Sequence, residues 1–207
     1  MRALLSRIAT LLIVAETGAG CGGDGGSGPG TSVLTTLEVT PATATLFTVA
    51  PGNAVTLSVV PKDQDGQTMA GVGSPSFSSD NGAIASVSDD GTITAVAAGT
   101  ARITASLTAG GVTKTGTTTV MAQVAPASAT VVAGTGGFQP ATVDVQAGGT
   151  VTWEFGSTPN MVTFTTAGAP ANIPEQQNES VSRTFPNSGT FHYQCATPQK
   201  SGDVRVH

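Results

Sequence analysis

The sequence predicts an all-β protein made of two tandem β-sandwiches. Its composition points that way: aromatic residues make up 4% and charged residues 10% of the 207 positions, while Thr, Ser, Ala and Gly are abundant. Such a composition suits short strands and turns and argues against a helical bundle. Short runs in which apolar and polar residues alternate recur along the chain. Clusters of Gly, Asn and Asp separate these runs at the spacing of strands in a sandwich.

The first residues have the features of a secretory signal, predicted over residues 1–20. Two arginines precede the short apolar run Ile8–Ala15, and small residues follow it. A basic flank, a short apolar core and small residues before a cut define such signals. The run is too short to span a bilayer. Gly18-Ala19-Gly20 directly before Cys21 resembles a bacterial lipoprotein signal, which implies lipidation of Cys21 and a membrane anchor there. Plain secretion is the alternative.

Residues 21–32 are rich in Gly and Ser and predict a flexible tether, with a reach of roughly 18 Å by random-coil scaling. Lipoproteins retained at the inner membrane often carry Asp directly after the lipidated cysteine, whereas here Asp24 does not directly follow Cys21. The lipoprotein resemblance therefore implies a protein of the bacterial cell envelope, anchored in the outer membrane. A secreted protein is the alternative. The formal charge of −5 argues against nucleic-acid binding, which needs a basic face. With Cys21 in the processing region, Cys195 is the other cysteine and no disulfide framework is predicted.

The alternating runs of residues 33–122 predict the first sandwich. Apolar positions that share a face are Leu37 and Val39, then Val55, Leu57 and Val59, then Ile103, Ala105 and Leu107. Turn sequences lie between them, Asp63-Gln64-Asp65-Gly66 among these. We interpret that stretch as an ordinary acidic turn. A calcium loop needs six or more oxygen ligands, and the bidentate Glu that ends an EF-type loop is absent here.

Motifs in Phe77–Ser106 identify the type of sandwich. They are Phe77-Ser78-Ser79, Ala85-Ser86-Val87, Asp90-Gly91-Thr92-Ile93 and Gly99-Thr100-Ala101-Arg102-Ile103. This succession resembles the bacterial Ig-like group 2 domain over residues 33–122. The resemblance implies a surface-display or spacer module, sometimes adhesive, with no catalysis.

Residues 129–207 follow a linker, residues 123–128, and predict the second sandwich. Phe138–Phe155 contains Phe-x-Pro, a valine strand, Ala-Gly and Val-Thr-Trp in that order. In Gly189–His207, aromatic residues alternate up to Cys195 and a short loop that ends in Gly202 follows. Together these two stretches resemble the cupredoxins, the plastocyanin-like blue copper proteins, and imply a Greek-key sandwich.

The cupredoxin resemblance also says where a copper site would lie. A blue copper centre is a trigonal His, His, Cys set with a weak axial Met. The matching positions are Asn160 for the first His, Cys195 for the Cys and Lys200 for the Met, while Ala196–Ser201 offers no second His. The resemblance therefore implies a degenerate site with no metal, with copper held through Cys195 as the alternative.

Other side chains are poor replacements for the missing ligands. His192 is three residues from Cys195 on the opposite face of the strand, and His207 is predicted at the outward end of the last strand. An Asn amide is a weak, hard ligand where copper prefers imidazole or thiolate. Freeing a lysine amine at pH 7 costs roughly 4.6 kcal/mol. For Cys195 the choices are a buried, inert small hydrophobe, a metal ligand, or a reactive thiol.

Enzymatic function is not predicted. Nucleophile-elbow, phosphate-loop and zinc-protease motifs are missing from the sequence. Both histidines of the chain are predicted to face outward, which leaves a hydrolytic triad without a good base. We expect an Ig-like spacer that carries a structural or recognition module, whose partner is an unknown protein or surface ligand. The alternative is an electron-transfer or copper-handling cupredoxin that uses Cys195.

Overall fold

The computed structural model describes residues 31–195 and 200–207, and all of its regular structure is β. The fold class predicted from the sequence, two β-sandwiches in tandem, is confirmed. The predicted signal segment and Cys21 with its lipidation lie outside the described residues. In the part of the chain that the structure describes, no helix is long and apolar enough to cross a bilayer.

The first sandwich contains nine strands. They are β1 Thr36–Thr40, β2 Thr43–Phe47, β3 Ala54–Thr56, β4 Ser58–Lys62, β5 Ser76–Ser79, β6 Ala85–Val87, β7 Thr92–Ala95, β8 Gly99–Ala109 and β9 Val112–Gln123. A four-stranded sheet, β2-β9-β8-β5, faces a three-stranded sheet, β3-β7-β6, and β1 pairs with β4. Apolar side chains of both larger sheets, Ile93 and Ile103 among them, fill the space between.

The hairpin β8-β9 contains the two longest strands of this sandwich. The turn that joins them explains the register in which they pair. Gly110 and Gly111 have φ of +57° and +79°, the left-handed conformation that a two-residue type I′ turn requires and that glycine adopts without a steric penalty. The turn therefore pairs Ala109 with Val112 and sets the whole ladder. Ile103, Ala105 and Leu107 point inward and are buried, as their alternation predicts.

One alternating run does not form a single strand. Val55, Leu57 and Val59 were expected to lie along one strand, but β3 ends at Thr56 and β4 begins at Ser58. Between them the Leu57 amide donates to the carbonyl of Gly91 at 3.0 Å. The chain changes sheet at this point, since β3 pairs with β7 and β4 pairs with β1. The alternation of apolar and polar residues continues from β3 into β4 because both strands turn their apolar side chains toward the core.

The described residues of the second sandwich, 128–195 and 200–207, also form nine strands. They are β10 Ser128–Gly134, β11 Gly137–Gln139, β12 Thr142–Val145, β13 Gly149–Phe155, β14 Asn160–Phe164, β15 Ile173–Gln176, β16 Ser180–Phe185, β17 Gly189–Cys195 and β18 Lys200–Val206. The sheet β11-β10-β13-β16 packs on the sheet β12-β18-β17-β14-β15. The pairs β10-β13 and β12-β18 are parallel.

An aromatic cluster forms the centre of this second core. Trp153 and Tyr193 are fully buried and meet edge to face with ring centroids 5.4 Å apart. Phe138 also packs edge to face with Tyr193, with ring centroids 4.9 Å apart, and Phe185 is buried beside Trp153. Each such side chain contributes about 1.5–3 kcal/mol by leaving water. The cluster therefore holds β17 and β18 firmly against the facing sheet.

Candidate functional site

The three positions that the cupredoxin resemblance singled out lie at the same end of the second sandwich. Cys195 is the last residue of β17 and pairs across the ladder with Lys200, the first residue of β18. Asn160 begins β14, which is the neighbour of β17 on its other side. Three adjacent strands therefore bring together residues that are up to 40 positions apart in sequence.

A lysine ammonium group occupies the centre of this arrangement. Lys200 Nζ donates to Asn160 Oδ1 at 3.2 Å and to the main-chain carbonyl of Gly134. The amide of Asn160 in turn donates to the carbonyls of Thr158 at 2.9 Å and Ala133 at 3.3 Å. Asn160 is only 2% exposed, so its satisfied hydrogen bonds offset the cost of burying the amide. The result is a continuous polar network that joins β18 to β14 and β10.

Cys195 lies on the core face of its strand. It is 2% exposed and belongs to the same apolar cluster as Phe191 and Tyr193. A cleft of about 330 Å³ opens next to it, lined also by His192, Gln194, Lys200 and Ser201. The thiol therefore sits at the boundary between the aromatic core and the polar network of Lys200.

The two imidazoles are held elsewhere. His192 Nδ1 lies 2.9 Å from Asp203 Oδ1, its cross-strand neighbour on the outer face. His192 is three residues before Cys195, about 10 Å along a strand. His207 is seven residues after Lys200, about 23 Å along β18 and its extension. His192 therefore projects from the opposite face of β17 to Cys195, although it lines the same cleft, and His207 lies at the far end of β18.

The expectation that His207 faces outward is wrong. It is 6% exposed and lies where the second sandwich meets the first. Its Nε2 is 2.8 Å from Asp144 Oδ1, and its Nδ1 contacts the carbonyl oxygen of Pro51. Its ring stacks against Phe47 with centroids 3.8 Å apart. Alternation along β18 predicts only which residues face the core of the second sandwich. His207 does not face that core, but it is buried because the first sandwich covers it.

The residues present do not fit a blue copper centre. Such a centre needs two imidazoles and a thiolate in one plane, whereas the described groups at this end are a thiol, an amide and an ammonium. Among residues 31–195 and 200–207, no three His, Cys, Asp or Glu side chains form a group that could hold a metal ion. An ammonium group would also repel a cation that approached Cys195.

Gly202 was expected at the end of a loop, but it lies within β18, opposite Tyr193. A Cβ at Gly202 would lie 2.5 Å from the Tyr193 hydroxyl and 2.5 Å from the Ala141 carbonyl. Glycine is therefore required here so that the phenol ring can cross the strand. The Tyr193 hydroxyl and Trp153 Nε1 are buried with no hydrogen-bond partner among the described residues. The two groups are neighbours, but their geometry falls short of a hydrogen bond.

Burial raises the pKa of Tyr193 to about 12. The low dielectric around the ring disfavours the phenolate, which is the largest effect. The nearby Trp153 indole partly opposes it, and the negative charge of Asp203 adds to it. The sequence offered a signal for this packing, since an aromatic residue and a glycine occupy matching places on consecutive strands.

Comparison with known families identifies the first sandwich. Residues 33–120 match the family described as bacterial Ig-like domain (group 2). This part of the chain is similar to the bacterial Ig-like domains of that family. The resemblance inferred from the motifs in Phe77–Ser106 is thereby confirmed. The predicted domain limits 33–122 and 129–207 stay predictions.

The solved structures similar to this chain include copper proteins. A methionine-to-glutamine mutant of amicyanin with Cu(I) is 26% identical, and the match covers 39% of this chain and 83% of that one, with a TM-score of 0.36. An oxidized methionine-to-lysine mutant of amicyanin is 27% identical over 41% and 87%, with a TM-score of 0.36. A purple cupredoxin from Nitrosopumilus maritimus is 22% identical over 38% and 99%, with a TM-score of 0.34. No curated protein matches the chain.

Proposed function

We propose that this chain is a non-enzymatic display protein of the bacterial cell envelope, either lipid-anchored through Cys21 or secreted. Its Ig-like domain would act as a spacer, and its second sandwich as a structural or recognition module of cupredoxin type that does not use copper. The partner is then a protein or a surface ligand outside the cell membrane. Bacterial Ig-like group 2 domains are typically extracellular or surface-exposed, which supports this location.

The hydrogen bond between Lys200 and Asn160 carries the proposal. It places a cation where the cupredoxin resemblance puts the axial ligand, and it ties up the side chain at the position of the first histidine. To bind copper, the site would have to break this bond and the one from Lys200 to the Gly134 carbonyl. A buried network of this kind stabilises the end of the sandwich while it is complete, and is costly to leave half satisfied.

Copper titration directly tests the proposal that the second sandwich does not use copper. The purified chain is mixed with Cu(II), and the visible absorbance is followed for an intense thiolate-to-copper band. We expect no such band. A blue or purple product that disappears in the variant Cys195→Ala would instead establish the copper-handling alternative and overturn the proposal.

A variant in which copper ligands are restored shows whether the titration can detect a copper site in this sandwich. In Asn160→His/Lys200→Met, an imidazole and a thioether replace the amide and the ammonium beside Cys195, and a soft donor set is what Cu(I) and Cu(II) centres of this type prefer. We expect this double variant to bind copper at least about tenfold more tightly than the parent, roughly 1.4 kcal/mol. Equal weak binding by both would show that the network around Lys200 is not what excludes the metal.

The anchor is tested separately. Cells that express the full chain are labelled with a fatty-acid analogue and fractionated. We expect label on the parent chain in the membrane fraction and loss of both label and membrane association in Cys21→Ser. Release of an unlabelled parent chain into the medium would favour plain secretion, with the rest of the proposal unchanged.

A further inference from the structure

One imidazole, that of His207, lies in the contact between the two sandwiches. His207 and its partner Asp144 belong to the second sandwich, on the neighbouring strands β18 and β12. Phe47 and Pro51 belong to the first sandwich, at the end of β2 and in the loop that follows it. The His207 side chain is only 4% exposed, so the ring is enclosed by groups from both sides.

Both nitrogens of this ring face groups that can only accept a hydrogen bond. Nδ1 contacts the carbonyl oxygen of Pro51, and Nε2 lies 2.8 Å from a carboxylate oxygen of Asp144. A neutral imidazole carries one N–H and one lone pair, whereas the imidazolium carries two N–H donors. With Asp144 ionised, only the imidazolium satisfies both acceptors. In this geometry both contacts are hydrogen bonds only when the ring carries two protons.

The surroundings of the ring agree with a cation. The centroids of the Phe47 ring and the imidazole are 3.8 Å apart and the rings are tilted by 33°, and aromatic faces attract cations. Asp144 and Arg205 are the charged side chains among the described residues that line the cleft at this contact, which measures about 380 Å³. They are partners in the β12-β18 register. Asp144 thus favours the imidazolium, and Arg205 opposes it from the same sheet.

Loss of the proton would act mainly on the contact between the sandwiches. The hydrogen bond from Nε2 to Asp144 is charge-assisted and lies within the second sandwich, so the remaining proton would stay there. Nδ1 would then direct a lone pair at the Pro51 carbonyl, and two acceptors at hydrogen-bond distance repel each other. Deprotonation would also remove the attraction to the Phe47 ring.

A segment of two residues joins the two sandwiches beside this contact. β9 ends at Gln123, whereas the carbonyl of Pro126 already accepts from the Gln146 amide at 2.8 Å in the second sandwich. Only Val124 and Ala125 lie between these two anchored points. A linker this short keeps the two surfaces at high effective concentration, so a single hydrogen bond can decide whether they dock.

We infer that His207 is a proton-dependent latch between the Ig-like domain and the second sandwich. The latch is closed when the imidazole carries two protons, and it opens when the ring becomes neutral. Docking therefore weakens as the pH rises and the ring loses its second proton. The orientation of the second sandwich on its spacer would follow the acidity of the medium.

The inference is tested by ¹⁵N relaxation on the full chain at about pH 5 and about pH 8.5, on either side of imidazole titration. We expect both sandwiches to share one rotational correlation time in acid and to have separate, shorter times in alkali. Long-range ¹H–¹⁵N spectra report in parallel whether the His207 ring carries one proton or two. Identical tumbling at both pH values, or a singly protonated ring in the docked form, would overturn the inference.

Two variants distinguish a latch from a simple packing contact. His207→Gln cannot titrate, so the pH dependence of tumbling should disappear. In Asp144→Asn, the new amide can donate to Nε2, and the neutral ring can then keep its proton on Nδ1 for the Pro51 carbonyl. We expect Asp144→Asn to stay docked at both pH values, with a docked fraction at pH 8.5 at least about tenfold higher than the parent. Separation of Asp144→Asn at every pH would contradict the latch.

His192→Gln is the matched control, since His192 pairs with Asp203 on the outer face and touches no residue of the first sandwich among its described contacts. It should keep the full pH response of the parent. The same measurement on a chain with two glycines added after His207 should also keep it, because the response belongs to the imidazole. Loss of the response in either control would refute the assignment to His207.

Discussion

The single tyrosine of the chain offers a direct test of the second core. Tyr193 lies across Gly202, edge to face with Trp153, and its hydroxyl is buried without a hydrogen-bond partner among the described residues. Raising the pH should force this phenol to ionise in a place that cannot solvate the charge. We predict that the folded protein resists ionisation well beyond the pH at which an exposed tyrosine titrates.

The structure supplies the magnitude and the sign. Burial raises the pKa of Tyr193 to about 12, against about 10 in an unfolded chain. Two pKa units correspond to about 2.7 kcal/mol, at ~1.36 kcal/mol per unit. Because the folded-state pKa is the higher one, this stabilisation is fully present below pH ~10 and is lost as pH rises toward 12. Alkali should therefore unfold the second sandwich through this residue.

The assay is the ultraviolet absorbance of phenolate, which here reports on Tyr193 alone. We expect a midpoint near pH 12 in the native protein and near pH ~10 in concentrated urea. Circular dichroism on the same samples shows whether ionisation and unfolding coincide. Tyr193→Phe should abolish the alkaline loss of stability. A native midpoint near that of the urea sample, with the fold intact, would refute the picture of a buried phenol.

Three further predictions concern steric fit and acid stability. Gly202→Ala should destabilise the second sandwich by about 1–3 kcal/mol in urea denaturation, whereas Gly156→Ala, in open space, should not. Gly116→Ala should cost the first sandwich a similar ~1–3 kcal/mol, because its Cβ would lie 2.7 Å from a carbonyl of β1. The pKa values of Asp63 and Asp90 are lowered, chiefly by the Gln67 amide and the Ser88 hydroxyl. The resulting stability is present above pH ~4 and lost below it, so Asp90→Asn should flatten the acid dependence of the urea midpoint.

The acidic turn shows where sequence reasoning succeeded on local grounds. The interpretation of Asp63-Gln64-Asp65-Gly66 as a turn agrees with the structure, in which Asp63 Oδ1 accepts from the amides of Asp65 at 3.0 Å and Gln67 at 2.8 Å. Asp readily bonds to the backbone a few residues on. Such a feature depends only on neighbours in sequence, and residue type and order are enough to predict it.

Features that depend on strand pairing were harder to predict. Alternation identified Val55, Leu57 and Val59 as inward-facing but could not show that the chain changes sheets at Leu57. The periodicity of apolar residues predicts which side of a segment is buried, but it does not predict which strand the segment pairs with. For the same reason, the cupredoxin resemblance could align Lys200 with the axial position but not predict its bond to Asn160, because that bond needs the actual approach of β14 to β18.

His207 marks the limit of reasoning from one strand. Alternation predicts Val204 and Val206 as inward residues of the last strand, and both are buried in β18, so the next position falls outward by the same alternation. A residue that points away from the core of the second sandwich becomes buried where the first sandwich covers that face. Phe47 and Pro51 of the first sandwich cover His207 in this way. A histidine at such a place differs from an apolar residue in one respect: its fit depends on its protons. The residue that could have raised the question is Asp144, on the strand beside it, whose carboxylate lies 2.8 Å from the His207 ring.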